Sequence, residues 1–206
     1  MQNVGLKMID RGNGWAIHTS DTARTAFPFE EEGRADGGYN HRCYDLTVRR
    51  DMIGQLPEVT RFPFLGPVLE AVNSRWSLLR TTACDAGYLP RDPRPNDEFT
   101  HCVGGMVVIA YRLDWHNMEP DKLVRLARMI ENAMVRPEPA CRGRYVVEPY
   151  RSWHGKEEPM YYNVTLEFAG VGYSPEEALV AAETTAQSIT PAISKVATSH
   201  ELLTMS

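Results

Sequence analysis

Apolar residues recur with two different periods along this chain, and the points where the period changes divide it into elements. The most regular stretch lies between residues 103 and 190. A strand is predicted at about 103–113, followed through "DWHN" by a helix over "EPDKLVRLARMIENAM". In that helix Pro120 sits in the first turn and Leu123, Leu126, Ala127, Ile130 and Met134 share one face. Two further strands are predicted, "RYVVEPY" (144–150) and "MYYNVTLEF" (160–168). A second helix then opens at Ser174-Pro175-Glu176-Glu177, the S-x-x-E order of a capping box. Leu123, Leu126, Ile130, Val164, Leu166, Leu179 and Ile189 are expected to face one core. The order β-α-β-β-α matches most of a split β-α-β, ferredoxin-like sheet, so the fold class expected is α+β, a two-layer sandwich.

The first hundred residues are less regular. "VGLKMIDRGNGWAIHT" (4–19) reads as a hairpin about Gly12-Asn13-Gly14, because Asn-Gly accepts the positive φ angles of a tight turn. Residues 20–43 show no period and read as a long surface loop. "YDLTVRR" (44–50) alternates Tyr44, Leu46 and Val48 with Asp45, Thr47 and Arg49, the pattern of a strand. Either it or the tail is expected to supply the missing edge of the sheet. Val68, Leu69, Val72, Trp76, Leu79 and Ala83 recur at spacings of three and four, which predicts a helix over 68–83 that places Cys84 near its C-terminus. "YLPRDPRPND" (88–97) reads as an extended connector. The two β-α units, "VVIAYR" with "EPDKLV" and "YNVTLEF" with "SPEEAL", form a weak internal repeat.

The 206 residues, 43% hydrophobic and 24% charged, suit one folded domain. The longest apolar runs, such as "MVVIAY" (106–111), are far below the ~20 residues of a membrane span. Without a basic and apolar leader, a cytoplasmic setting is expected, with reduced thiols. The net charge of −5 is uneven: residues 157–206 hold seven Glu against Lys195 alone. This balance argues against a nucleic-acid partner, and no membrane partner is expected. Arginine dominates the cations, 18 to 4, a bias seen at protein interfaces.

Candidate chemistry is sparse. His41 and Cys43, two apart, could share a strand face, and His101 and Cys102 could complete a zinc site only if a loop turned both toward one ion. Such a site would make a hydrolase, with His18 as a further participant. "IHTS" (17–20) resembles the H-x-[ST] tripeptide of two-histidine phosphoesterases over three residues, but "THCV", "WHGK" and "SHEL" supply no second copy. Glu30, Glu31 and Glu32 read as a solvated run, and nucleotide-loop, G-x-S-x-G and H-E-x-x-H patterns do not occur. The favoured expectation is a non-enzymatic structural or assembly protein, binding copies of itself or other proteins of a particle, a viral one included, and needing no cofactor. In a virus its location would be the virion. The stretch 141–162 mixes cations with aromatics, and Arg142, Arg144, Tyr150, Arg151 and Trp153 are its expected anchors. Glu176, Glu177 and Glu183 offer the complementary charge, which predicts head-to-tail rings or arrays.

Overall fold

In the computed structural model, which describes residues 6–10, 15–21, 26–27, 32–33, 39–40, 44–89, 98–135, 138–152 and 160–202, the chain begins with a hairpin. Strands β1 (Leu6–Asp10) and β2 (Ala16–Ser20) pair antiparallel with an irregularity between Met8 and Asp10. The predicted turn at 12–14 lies outside the described residues. Within the expected long loop stand three two-residue strands, β3 (Ala26–Phe27), β4 (Glu32–Gly33) and β5 (Tyr39–Asn40); β4 pairs with β5.

The predicted strand at 44–50 is instead a turn. The Asp45 carboxylate accepts the Thr47 N–H at 3.0 Å and its hydroxyl at 2.5 Å, while the Asp45 carbonyl accepts the amides of Val48 and Arg49. A short polar side chain that satisfies the backbone locally competes with a ladder. Leu46 is buried, but Val48 is 75% exposed, so the alternation had no sheet behind it. A 3₁₀ turn (Arg50–Gln55) and helices α1 (Pro57–Arg61) and α2 (Leu65–Val72) follow.

The helix expected over 68–83 is also corrected. It stops at Val72, and Leu79–Tyr88 form strand β6, which contains Cys84. Asn73 makes the break: its side-chain amide donates to the Leu69 carbonyl and to Thr81 Oγ1, and its Oδ1 accepts the Thr81 N–H at 3.0 Å. One buried side chain therefore ends the helix and fixes the returning strand, whose ladder is irregular between Thr81 and Ala83.

Strand β7 (His101–Tyr111), a 3₁₀ turn (Asp114–Met118), α3 (Pro120–Ala133), β8 (Cys141–Ser152), β9 (Tyr161–Gly172) and α4 (Pro175–Ala197) reproduce the predicted β-α-β-β-α order. A last 3₁₀ turn spans His200–Leu202. The main sheet runs β1-β2-β8-β9-β7-β6, with β3 beside β8. Since β9 is antiparallel to both β7 and β8, those two are parallel and α3 crosses between them, which is the split β-α-β unit. The edge beside β7 is filled by β6, a strand that precedes β7 in the chain, rather than by 44–50 or the tail. On the other side, β2 joins parallel to β8 and extends the sheet.

The helices cover one face. Leu123, Leu126, Ile130, Val164, Leu166 and Ile189 are fully buried in one cluster, with Leu179 packed partly buried against it, as the periods predicted. Helix α4 lies so close to β9 that a Cβ at Gly170 would collide with the backbone of Ala178, Ala181 and Ala182; only hydrogen fits there. The helix start is capped as predicted, with Ser174 Oγ accepting the Glu177 N–H at 3.2 Å. The Glu177 carboxylate reaches back to the Tyr173 N–H at 2.8 Å, one residue earlier than the usual box. At the hairpin, the Trp15 ring occupies the space where a Gly143 side chain would be, and the Trp15 backbone N–H donates to buried Glu131 Oε1 of α3 at 3.1 Å.

Candidate functional site

Side chains alternate across a strand, so the neighbours of the core residues on β8 and β9 point to the opposite face of the sheet. That face is polar. The register sets Arg144 opposite Glu167, Val146 opposite Thr165, Glu148 opposite Asn163 and Tyr150 opposite Tyr161, with His18 of β2 beside Val146. Arg144 Nε donates to Glu167 Oε2 at 2.6 Å, and Thr165 Oγ1 donates to Glu148 Oε1 at 2.6 Å. The Tyr150 and Tyr161 rings stack with centroids 5.7 Å apart. Glu148, Asn163 and Thr165 are each 1% exposed, so these groups meet one another and not solvent.

Burial governs their protonation. It pushes the Tyr150 phenol up to about 12, with the nearby Arg80 guanidinium opposing. Burial first, then Arg144, lowers His18 below the usual imidazole range, with Glu167 opposing, so His18 is neutral at pH 7. Carboxylate, phenol, imidazole and guanidinium thus share one face, but the bonds of Arg144 to Glu167 and of Thr165 to Glu148 hold adjacent strands together.

A second set of side chains stands exposed elsewhere, at the end where β7 leaves the sheet. Arg112 donates from Nε to the Leu79 carbonyl at 3.0 Å and from Nη2 to the Ser74 carbonyl at 2.8 Å, which brings the segments 74–79 and 111–114 side by side. The Asn117 side chain clamps Tyr111, accepting its N–H at 2.8 Å and donating to its carbonyl at 3.0 Å. On this braced backbone stand Trp76, 74% exposed, and Trp115, 54% exposed, with Leu113 and Met118 also exposed. Each tryptophan has a cation over its ring, Arg75 at 5.0 Å from the Trp76 centroid and Lys122 at 4.9 Å from that of Trp115. Beneath, His116 stacks on Trp115 with centroids 3.5 Å apart; it is 2% exposed and neither ring nitrogen has a hydrogen-bond partner. Burial, then Lys122, lowers its pKa, while Glu119 opposes.

The residues singled out from sequence are dispersed over this framework. Arg142, Arg144 and Tyr150 share the polar sheet face, but Arg142 donates to the Pro139 carbonyl and lies 6.0 Å from the Phe99 ring, Arg144 is paired, and Tyr150 at 3% exposure is not an exposed anchor. The Arg151 side chain and Trp153 lie outside the described residues. Glu176 and Glu177 occupy the first turn of α4 and Glu183 its exposed flank, beside a groove. His41 and Cys43 lie outside the described residues. His101 and Cys102 both fall within β7, so the loop geometry that a shared ion required is not met: His101 is exposed with Nδ1 at 2.9 Å from Thr100 Oγ1, and Cys102 is buried against Ala169 and Val171. Among the described residues no group of three or more His, Cys, Asp or Glu is placed to hold a metal ion. Nor is any described helix long and apolar enough to cross a membrane.

The two exposed tryptophans were missed. The three-and-four spacing places Trp76 on the inner face of a helix that in fact ends before it, and Trp115 stands in the connector "DWHN", where no period marks it. A tryptophan in a polar connector is the signal that could have found the second. No family model, no characterised protein and no solved structure matches the chain.

Proposed function

We propose that this is a non-enzymatic assembly protein that docks copies of itself, or another protein of a larger particle, through the tryptophan-bearing end of the sheet. The observation that carries this reading is the pair Trp76 and Trp115, exposed on a backbone already braced by Arg112 and Asn117. Exposed apolar clusters mark interaction sites on soluble proteins, and tryptophan is the residue most enriched among strong interface contacts. Its two side-chain torsions lose little freedom on docking, and the rigid support under it means that little backbone entropy is lost.

Sedimentation over a wide concentration range tests the reading. The wild-type mass is expected to rise with concentration, and Trp115→Ala to weaken that association at least tenfold. A wild type that stays monomeric throughout, with no partner retained on a purified particle, overturns it. The stretch 141–162 remains in the proposal through Arg151 and Trp153, and the double replacement Arg151→Ala with Trp153→Ala tests their share by the same measurement.

A further inference from the structure

An open groove runs between α2 and α4, lined by Phe64, Pro67, Glu183, Ala186, Gln187, Thr190 and Pro191. Three features fit it to one kind of occupant. Its floor is apolar and firm, since Phe64 is buried edge-on against Phe168 with centroids 6.0 Å apart. Its rim carries the exposed carboxylate of Glu183, which makes no ion pair among the described residues. Its wall carries a carbonyl short of its helical donor: Pro191 lies inside α4 and has no N–H to give to the carbonyl of Gln187, four residues back.

A flat apolar ring bearing one N–H, next to a guanidinium, would satisfy all three, and the chain presents that pair itself. Trp76 is largely exposed, and Arg75 beside it is exposed and makes no ion pair among the described residues. The groove cannot be reached by the same chain's Trp76, which follows the far end of α2, past Val72, whereas Phe64 and Pro67 stand at its start. Resting on the association reading above, we infer that the α2/α4 groove receives Trp76 of a second copy, with Arg75 of that copy paired to Glu183 and its indole N–H donating to the Gln187 carbonyl. Because the two surfaces differ, the contact is heterologous and repeats from copy to copy as a ring or a filament.

Complementation tests this. Trp76→Ala keeps the groove and loses the plug; Glu183→Lys keeps the plug and spoils the groove. Both residues are exposed, so both variants fold. Each alone is expected to associate at least tenfold more weakly than wild type, and an equimolar mixture is expected to give dimers and nothing larger, one intact plug in one intact groove. Arg75→Glu combined with Glu183→Arg in one chain should recover assembly that either change alone abolishes. Single variants that assemble like wild type, or a mixture that stays monomeric, overturn the inference while leaving self-association standing. A wild type that never associates overturns the association reading itself, before any variant is made.

Discussion

The two faces of the central sheet are built from different chemistry, one wholly buried under the helices and the other buried at its centre with half-exposed groups around it. Under the helices, β7, β8 and β9 present Val107, Ile109, Tyr145, Val147, Val164, Leu166 and Phe168. On the reverse, the same strands present Val108, Val146, Thr165, Asn163, Glu148 and the Arg144–Glu167 pair. Burial does not dictate apolar composition. The first face is held by shape, supplied by interdigitating side chains and by Gly170. The second is held in part by partners on adjacent strands, Thr165 with Glu148 and Arg144 with Glu167, although Asn163 Oδ1 finds none among the described residues.

The faces should therefore fail differently. The largest effect is expected from Gly170→Val, which drives a side chain into the backbone of α4; loss of more than about 4 kcal/mol, seen as failure to fold or a collapsed urea midpoint, is the expected outcome. Leu166→Ala leaves a cavity in the helix-covered core and should cost about 2–5 kcal/mol by denaturant unfolding. Its chain neighbour Thr165→Val keeps the volume but strips Glu148 of its hydroxyl donor, at a cost of about 1–3 kcal/mol. The comparison breaks here if the Val substitution is neutral. It sharpens if Glu148→Leu added to Thr165→Val restores part of the loss, since the hydroxyl and the carboxylate it serves are then removed together.

The smallest effect concerns His116, a buried imidazole with no hydrogen-bond partner among the described residues, which faces Trp115, Tyr111, Lys122 and Glu119. Its folded pKa lies below the ordinary 6.5, so the unfolded chain takes up a proton first as pH falls. Its share of stability is complete above 6.5 and is lost progressively as pH drops through 6.5 toward the folded value. Unfolding midpoints at pH 7 and pH 5 should diverge more in wild type than in His116→Phe; equal divergence would show that the folded imidazole takes up its proton as readily as the unfolded one.

How much of this was legible from the chain follows the same division. Residues 103–190 were readable because apolar periods there report burial on one face, and the core named from them is the core observed. The misreadings arose where a side chain bonds its own backbone neighbourhood. Asp45 imitated an alternating strand, and Asn73 cut a helix whose three-and-four spacing continued by coincidence to Leu79 and Ala83. Nothing in "YVVEPY" announces that Glu148 meets Thr165, 17 residues on. The proposed docking surface was hidden for a related reason: exposure of Trp76 depends on where α2 ends, and one asparagine decides that.

The parallel pairing of β2 with β8 carries a consequence for how the molecule is made. Residues 16–19 leave the ribosome early, but the edge they join is residues 144–147. At synthesis rates of about 5–20 residues per second, the hairpin waits roughly 6–25 s for its neighbour to exist. In that interval Trp15 and Ile17, both buried in the finished sheet, have neither Gly143 nor Tyr145 to cover them. The antiparallel strands β6 to β9 can pair among themselves over a shorter span of chain, so the hairpin waits longer for its neighbour than they do for theirs.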